Sequence, residues 1–252
     1  MKPLLALAVS LALTHAVLAQ ETKPALEKKT FTDAKGEKLP YRLLVPENYD
    51  AKQKYPLVIF LHGAGERGTD NEKQLVHGVP EFTRPENRKK YPCFLVAPQC
   101  PDEEKWGDWT VKEGLPEKPT EPGRLVLELI DALQKEYSID SKRLYLTGLS
   151  MGGFGTWDLI SRHPEKFAAA VPICGGGDPK QAPKLVKVPI WAFHGGKDNA
   201  VKVERTREMI VAIDKAGGHP RYTEYYHEGH GSWVPAYKDG EMLKWMFEQK
   251  LK

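Results

Sequence analysis

The residues that most invite chemistry are Gly148-Leu149-Ser150-Met151-Gly152, set between an apolar run, Leu144 to Leu146, and a stretch with helical spacing. A serine at such a strand-to-helix turn is held in a strained conformation with its hydroxyl projecting from the sheet, where it can attack an acyl carbon. The flanking glycines fit because strand and helix nearly touch there and leave no room for side chains. A serine hydroxyl is a weak nucleophile at neutral pH, so it requires a base within hydrogen-bond reach and a carboxylate that fixes the tautomer of that base. After a turn of this kind the acid follows in the chain, and then the base.

Asp198 meets the requirement for the acid. It stands just past the apolar run Pro189 to Phe193, at the end of His194-Gly195-Gly196-Lys197-Asp198. Asp178, which follows the run Phe167 to Ile173, is its main competitor, whereas Asp214 lies inside a helical stretch. His230 is the preferred base: it sits between Gly229 and Gly231 in a segment free to bend toward Ser150. His227 reads as part of the preceding strand, with a structural role. An oxyanion hole requires two backbone donors, and these fall on the Met151 N–H and on the Ala64 N–H of Leu61-His62-Gly63-Ala64-Gly65, with Gly65 as the neighbouring alternative. His62 reads as a residue that shapes this loop. Trp106, Trp109 and Trp233 occupy segments expected near the site, either as a platform for an aromatic or sugar group of the substrate or as ordinary loop packing. Glu66 and Arg67 are open to the same two readings, substrate contact or a local ion pair.

These side chains must be carried by a scaffold, and the hydrophobic pattern supplies one. Thr30 to Thr32 and Tyr41 to Val45, separated by Asp33-Ala34-Lys35-Gly36, predict an antiparallel hairpin. Tyr55 to Leu61, Cys93 to Ala97, Leu144 to Leu146, Phe167 to Ile173 and Val188 to Phe193 are short, nearly unbroken apolar runs, the pattern of parallel strands covered on both sides. Helical spacing is found over Leu125 to Tyr137, Gly152 to Arg162, Val203 to Lys215 and Asp239 to Leu251, and a last strand begins at Arg221. Alternating strands and helices give the α/β class. The segments Gly63 to Tyr91 and Gln99 to Gly123, rich in Pro, Gly and charge, are expected as loops around the site.

Residues 1–19 read as a secretory signal peptide, with Lys2, the apolar stretch Leu4 to Leu13 and a small-residue cleavage site ending at Ala19, so residues 20–252 form the expected single catalytic domain. A secreted or periplasmic protein follows from that reading. With 37 basic and 34 acidic residues among 252, the formal net charge is +3, and the balance offers no case for nucleic acid or membrane insertion. The three cysteines allow one disulfide in an oxidising compartment, Cys100 with Cys174 being the pair to test, or else three buried thiols.

Gly63-Ala64-Gly65-Glu66-Arg67-Gly68 also fits a dinucleotide-binding loop, but Thr69 to Lys73 is too polar to open the required helix. His227 and His230 lie too close together for a helical zinc-binding pair, so no metal is expected. Taken together, Leu61 to Gly68, Gly148 to Gly153, His194 to Asp198 and Gly229 to Trp233 resemble the compact bacterial carboxylesterases related to feruloyl and polyhydroxybutyrate esterases and to the prolyl oligopeptidase catalytic domain. The resemblance runs from about Thr30 to the end of the chain. It implies an α/β-hydrolase fold, a mostly parallel sheet with helices on both faces and no large lid domain. It also implies a cofactor-free acyl-enzyme mechanism with the triad on Ser150, Asp198 and His230. The implied partner is a small-molecule or polysaccharide-linked ester, of short-chain, acetyl or feruloyl-like type. A serine peptidase of prolyl oligopeptidase type and a non-catalytic carbohydrate-binding protein are the rival readings.

Overall fold

The computed structural model describes residues 26–108 and 114–252, and the expected signal peptide and Trp109 lie outside them. The chain opens with β1 (Glu27–Thr32) and β2 (Lys38–Leu44), paired antiparallel as expected. Their turn is closed by Asp33, whose Oδ1 accepts from the backbone N–H groups of Lys35 and Glu37, both at 2.8 Å. Strand β3 (Tyr55–Leu61) follows, then the short helices α1 (Val79–Thr83) and α2 (Pro85–Lys90), β4 (Phe94–Pro98), α3 (Glu121–Glu136), β5 (Ile139–Leu149) and α4 (Met151–Arg162). The chain then forms β6 (Ala169–Ile173), α5 (Ala182–Leu185), β7 (Trp191–Gly195), α6 (Glu204–Lys215), β8 (Arg221–Tyr225), α7 (Trp233–Lys238) and α8 (Gly240–Glu248).

The eight strands form one sheet in the order β1-β2-β4-β3-β5-β6-β7-β8. β2 pairs antiparallel with both neighbours, and every pairing from β4 across to β8 is parallel. β5, which carries the serine at its C-terminal end, lies between β3 and β6, away from both edges.

Alternation along the central strands explains why they read as unbroken apolar runs. Leu57, Ile59 and Leu61 of β3 pack into one core with Leu125, Leu129 and Leu133 of α3, Trp157 and Ile160 of α4 and Met209 of α6. Val58 and Phe60 point the other way, into a second core with Phe82 of α1, Tyr237 of α7 and Met242 and Met246 of α8. Helices therefore cover both faces, as a parallel sheet requires.

The structure changes some boundaries for visible reasons. α3 begins at Glu121 rather than Leu125, because Thr120 caps it by accepting from the Gly123 N–H at 3.2 Å and Pro122 occupies the first turn. The segment Gly63 to Tyr91, expected as loop, holds α1 and α2, each of no more than 6 residues with a proline in its first turn. Helices that short show too few apolar repeats to be read from periodicity.

Candidate active site

Strand β5 runs into α4 through Ser150, whose backbone sits at φ 53°, ψ −115°. A side chain rarely adopts that conformation, which costs of order 1–3 kcal/mol and persists only where the surroundings impose it. The imposing groups are backbone: a Cβ on Gly152 would lie 1.9 Å from the Leu61 carbonyl oxygen, and one on Gly148 would lie 2.4 Å from the Gly152 carbonyl oxygen. The Ser150 N–H donates to the Ile173 carbonyl at 2.9 Å, which ties the turn to β6.

The Ser150 hydroxyl lies 2.9 Å from His230 Nε2, and His230 Nδ1 lies 2.7 Å from Asp198 Oδ2. Asp198 is held at the end of β7 by two N–H groups, of Ala200 and Val201, each donating to Oδ1 at 2.9 Å. A second ring, buried His194, brings its Nε2 to 3.2 Å from Asp198 Oδ2 and 3.0 Å from the Val201 carbonyl. Burial lowers its pKa and keeps the ring neutral. Nε2 faces only acceptors, so a proton belongs there, and Nδ1 lies 2.8 Å from Thr206 Oγ1, the hydroxyl that itself donates to the Gly175 carbonyl at 2.8 Å. Asp198, 5% exposed, thus receives two backbone and two imidazole donors.

The Leu61-to-Gly65 loop is organised by His62. Its Nδ1–H donates to the Gly63 carbonyl at 2.6 Å, Nε2 accepts from the Cys100 N–H at 2.9 Å, and its own carbonyl accepts from Trp106 Nε1 at 3.0 Å. Burial drives the His62 pKa down to about 4, so the ring is neutral and both nitrogens are used. Ala64 then opens a short turn, Ala64–Glu66, and Met151 opens α4, where the first N–H groups have no partner within the helix. Both residues, with Ser150 and His230, line one cavity of about 570 Å³.

The model of the Esterase family matches residues 32–212. The chain belongs to that family. A thermostable esterase of known structure is 44% identical to it and superposes with a TM-score of 0.85, covering 90% of this chain and 64% of that one. A CE1 ferulic acid esterase from Anaeromyces mucronatus, 15% identical with a TM-score of 0.67 over 92% of this chain and 93% of its own, shares the fold. A bifunctional acetylxylan esterase/xylanase from Neocallimastix patriciarum is 39% identical over 92 residues, 36% of this chain but 14% of that larger protein. The fold is accordingly that of the α/β-hydrolase carboxylesterases.

Several expectations require correction. Trp106 is fully buried, with its indole N–H spent on the His62 carbonyl, so it supports the loop from beneath instead of meeting substrate. Trp233 packs edge-on against His230, ring centroids 5.3 Å apart, and lines a neighbouring hollow of about 190 Å³ rather than the serine cavity. His227 lies beyond the strand, because β8 ends at Tyr225 in a turn closed by the Glu228 N–H on the Tyr225 carbonyl. Asp178 caps the turn Pro179–Gln181 and also accepts from the Leu115 N–H. Glu66 faces His77 at 3.8 Å, while Arg67 donates to the carbonyls of Ala64 and Glu104, so the two do not pair with each other. Cys93, Cys100 and Cys174 are all free, buried thiols.

Sequence reasoning missed His194, Phe154 and the cavity wall Ala200, Val201, Lys202 and Arg205. A signal existed for two of them: Phe154 is one helical turn past Ser150, and the wall follows directly on Asp198.

Proposed function

We propose that this chain is an exported serine carboxylesterase that hydrolyses short-chain, acetyl or aromatic feruloyl-like esters through an acyl-enzyme. The observation that carries the reading is the hydrogen-bonded chain from Ser150 Oγ through both nitrogens of His230 to Asp198. In the first step Ser150 Oγ bonds to the ester carbonyl carbon as His230 Nε2 takes its proton, and the carbonyl oxygen becomes an oxyanion facing the Ala64 and Met151 N–H groups. Collapse breaks the bond to the alcohol, which leaves with the proton from His230. Water, deprotonated by the same nitrogen, then attacks the acyl-serine and releases the acid. Asp198 Oδ2 holds the imidazole in place through its Nδ1. Activity on acetyl and feruloyl esters is supported by the acetylxylan and ferulic acid esterases with which the chain shares sequence or fold. Export is supported by the leader-like residues 1–19, and among the described residues no helix is long and apolar enough to cross a membrane.

Purified protein and its Ser150→Ala variant are to be assayed on p-nitrophenyl acetate and butyrate, methyl ferulate and a dipeptidyl anilide. The expected outcome is ester hydrolysis in the parent, its loss in the variant and no turnover of the anilide. Equal rates in both proteins would remove the serine mechanism, and preference for the anilide would put the peptidase reading first.

A further inference from the structure

The serine cavity carries a charge pattern that general ester hydrolysis does not require. Ala64, Met151, Phe154, Ala200 and Val201 give it an apolar lining, and apart from Ser150 and His230 the remaining wall is two basic side chains, Lys202 and Arg205. Four arginines elsewhere, Arg124, Arg143, Arg162 and Arg207, each have a carboxylate oxygen within hydrogen-bond distance, while Arg67 is taken up by the carbonyls of Ala64 and Glu104 and Arg221 lies over the rings of Trp191 and Trp245. Arg205 and Lys202 have no ion-pair partner among the described residues. The nearest acid in the chain, Glu204, turns instead to Arg207 at 3.2 Å.

Arg205 is nevertheless held in place. Its stem crosses Gly176, where a Cβ would lie 2.7 Å from Arg205 Cβ, so only glycine lets it pass. Nη2 donates to the Gly177 carbonyl at 3.3 Å, and Cζ sits 5.9 Å from the centroid of the Phe154 ring, itself one turn from Ser150. One of five guanidinium donors is thereby used and the others remain for a ligand. The Arg205 N–H donates to the Lys202 carbonyl at 3.0 Å, a turn that keeps both cations on one side of the cavity. A half-buried, preorganised guanidinium without a carboxylate, beside a nucleophile, is the arrangement that recognises an anion on the substrate.

We propose that the preferred substrates are esters that also bear a carboxylate, bound by Arg205 and Lys202 while the scissile carbonyl sits at Ser150. The proposal rests on the esterase reading and specifies its substrate class. Phe154 and Val201 would contact the apolar atoms between the two ends.

Two matched pairs of esters test it on the purified protein, each rate being normalised to alkaline hydrolysis of the same ester. Charge on the acyl half is probed by p-nitrophenyl hemiadipate against its methyl-capped counterpart. Charge on the alcohol half is probed by the butyrate ester of p-hydroxybenzoate against that of its methyl ester. In one pair the anionic member should have kcat/KM about tenfold or more above the neutral one. That ratio should fall toward one in the Lys202→Gln/Arg205→Gln double variant and in about 0.5 M NaCl, and Arg205→Lys should retain part of it. Turnover of the neutral esters without an anionic preference in either pair would overturn the proposal, as would a preference that survives in the double variant. No hydrolysis of any of these esters would instead remove the esterase reading beneath it.

Discussion

Asp198 illustrates how much one side chain's environment decides. Its two oxygens accept from Ala200, Val201, His230 and His194, so the carboxylate is fixed in position before substrate arrives. Asp198→Asn keeps the shape but turns one acceptor into a donor, and kcat should fall by roughly 10³ to 10⁴ with KM changed far less, as steady-state kinetics would show. His194→Gln, which keeps a donor, should cost about tenfold or less, whereas His194→Ala should cost more; equal losses would mean that His194 only fills space. His62 gives a pH prediction. Its pKa is lowered from 6.5 to about 4 in the folded chain, so between those values the unfolded state binds the extra proton. Stability is then full above about pH 6.5 and declines as pH falls toward about 4, by up to roughly 3 kcal/mol. A series of thermal melts should show that slope, and His62→Asn should be less stable at neutral pH with a flatter acid limb.

At the scale of elements, the junction of β5 and α4 is set by contact between backbones. Gly152→Ala drives a methyl group into the Leu61 carbonyl, which the parallel pairing of β3 with β5 prevents from moving away. A loss of about 3 kcal/mol or more is expected in denaturant unfolding, together with loss of activity. Gly240→Ala, in the first turn of α8 with nothing within 4 Å of its Cβ, should instead be neutral or stabilising by up to about 1 kcal/mol. The same junction was the most legible part of the sequence, because glycine at both positions is demanded by the contact itself. Strand positions were legible for a related reason: Val58 and Phe60 face one core while Leu57 and Ile59 face the other, so the whole of β3 had to be apolar. What spacing alone could not convey was side-chain direction in loops. Trp106 and Trp233 share a residue type and were both expected in loops, yet one turns under the oxyanion loop and the other, at the start of α7, against His230. His194 was hidden for the same reason, since a histidine in an apolar strand does not announce which atom it will meet.

For the whole molecule, the two-sided sheet explains why the chemistry gathers at one edge. Ser150 follows the end of β5, Asp198 follows β7 and His230 follows β8, so three loops at the C-terminal ends of parallel strands bring the groups together across the sheet. Each depends on a different stretch of core, and loosening either layer should disturb their alignment before the chain unfolds. The three thiols give a way to time such loosening. Cys93 and Cys174 lie in the layer beneath α7 and α8, Cys100 lies in the opposite one, and burial pushes all three pKa values up to about 12. A disulfide reagent should therefore find no target in the closed molecule and should react only as fast as each layer breathes. Cys174 follows Ile173, whose carbonyl holds the Ser150 N–H, so its labelling clock would read how often the floor of the proposed active site comes open.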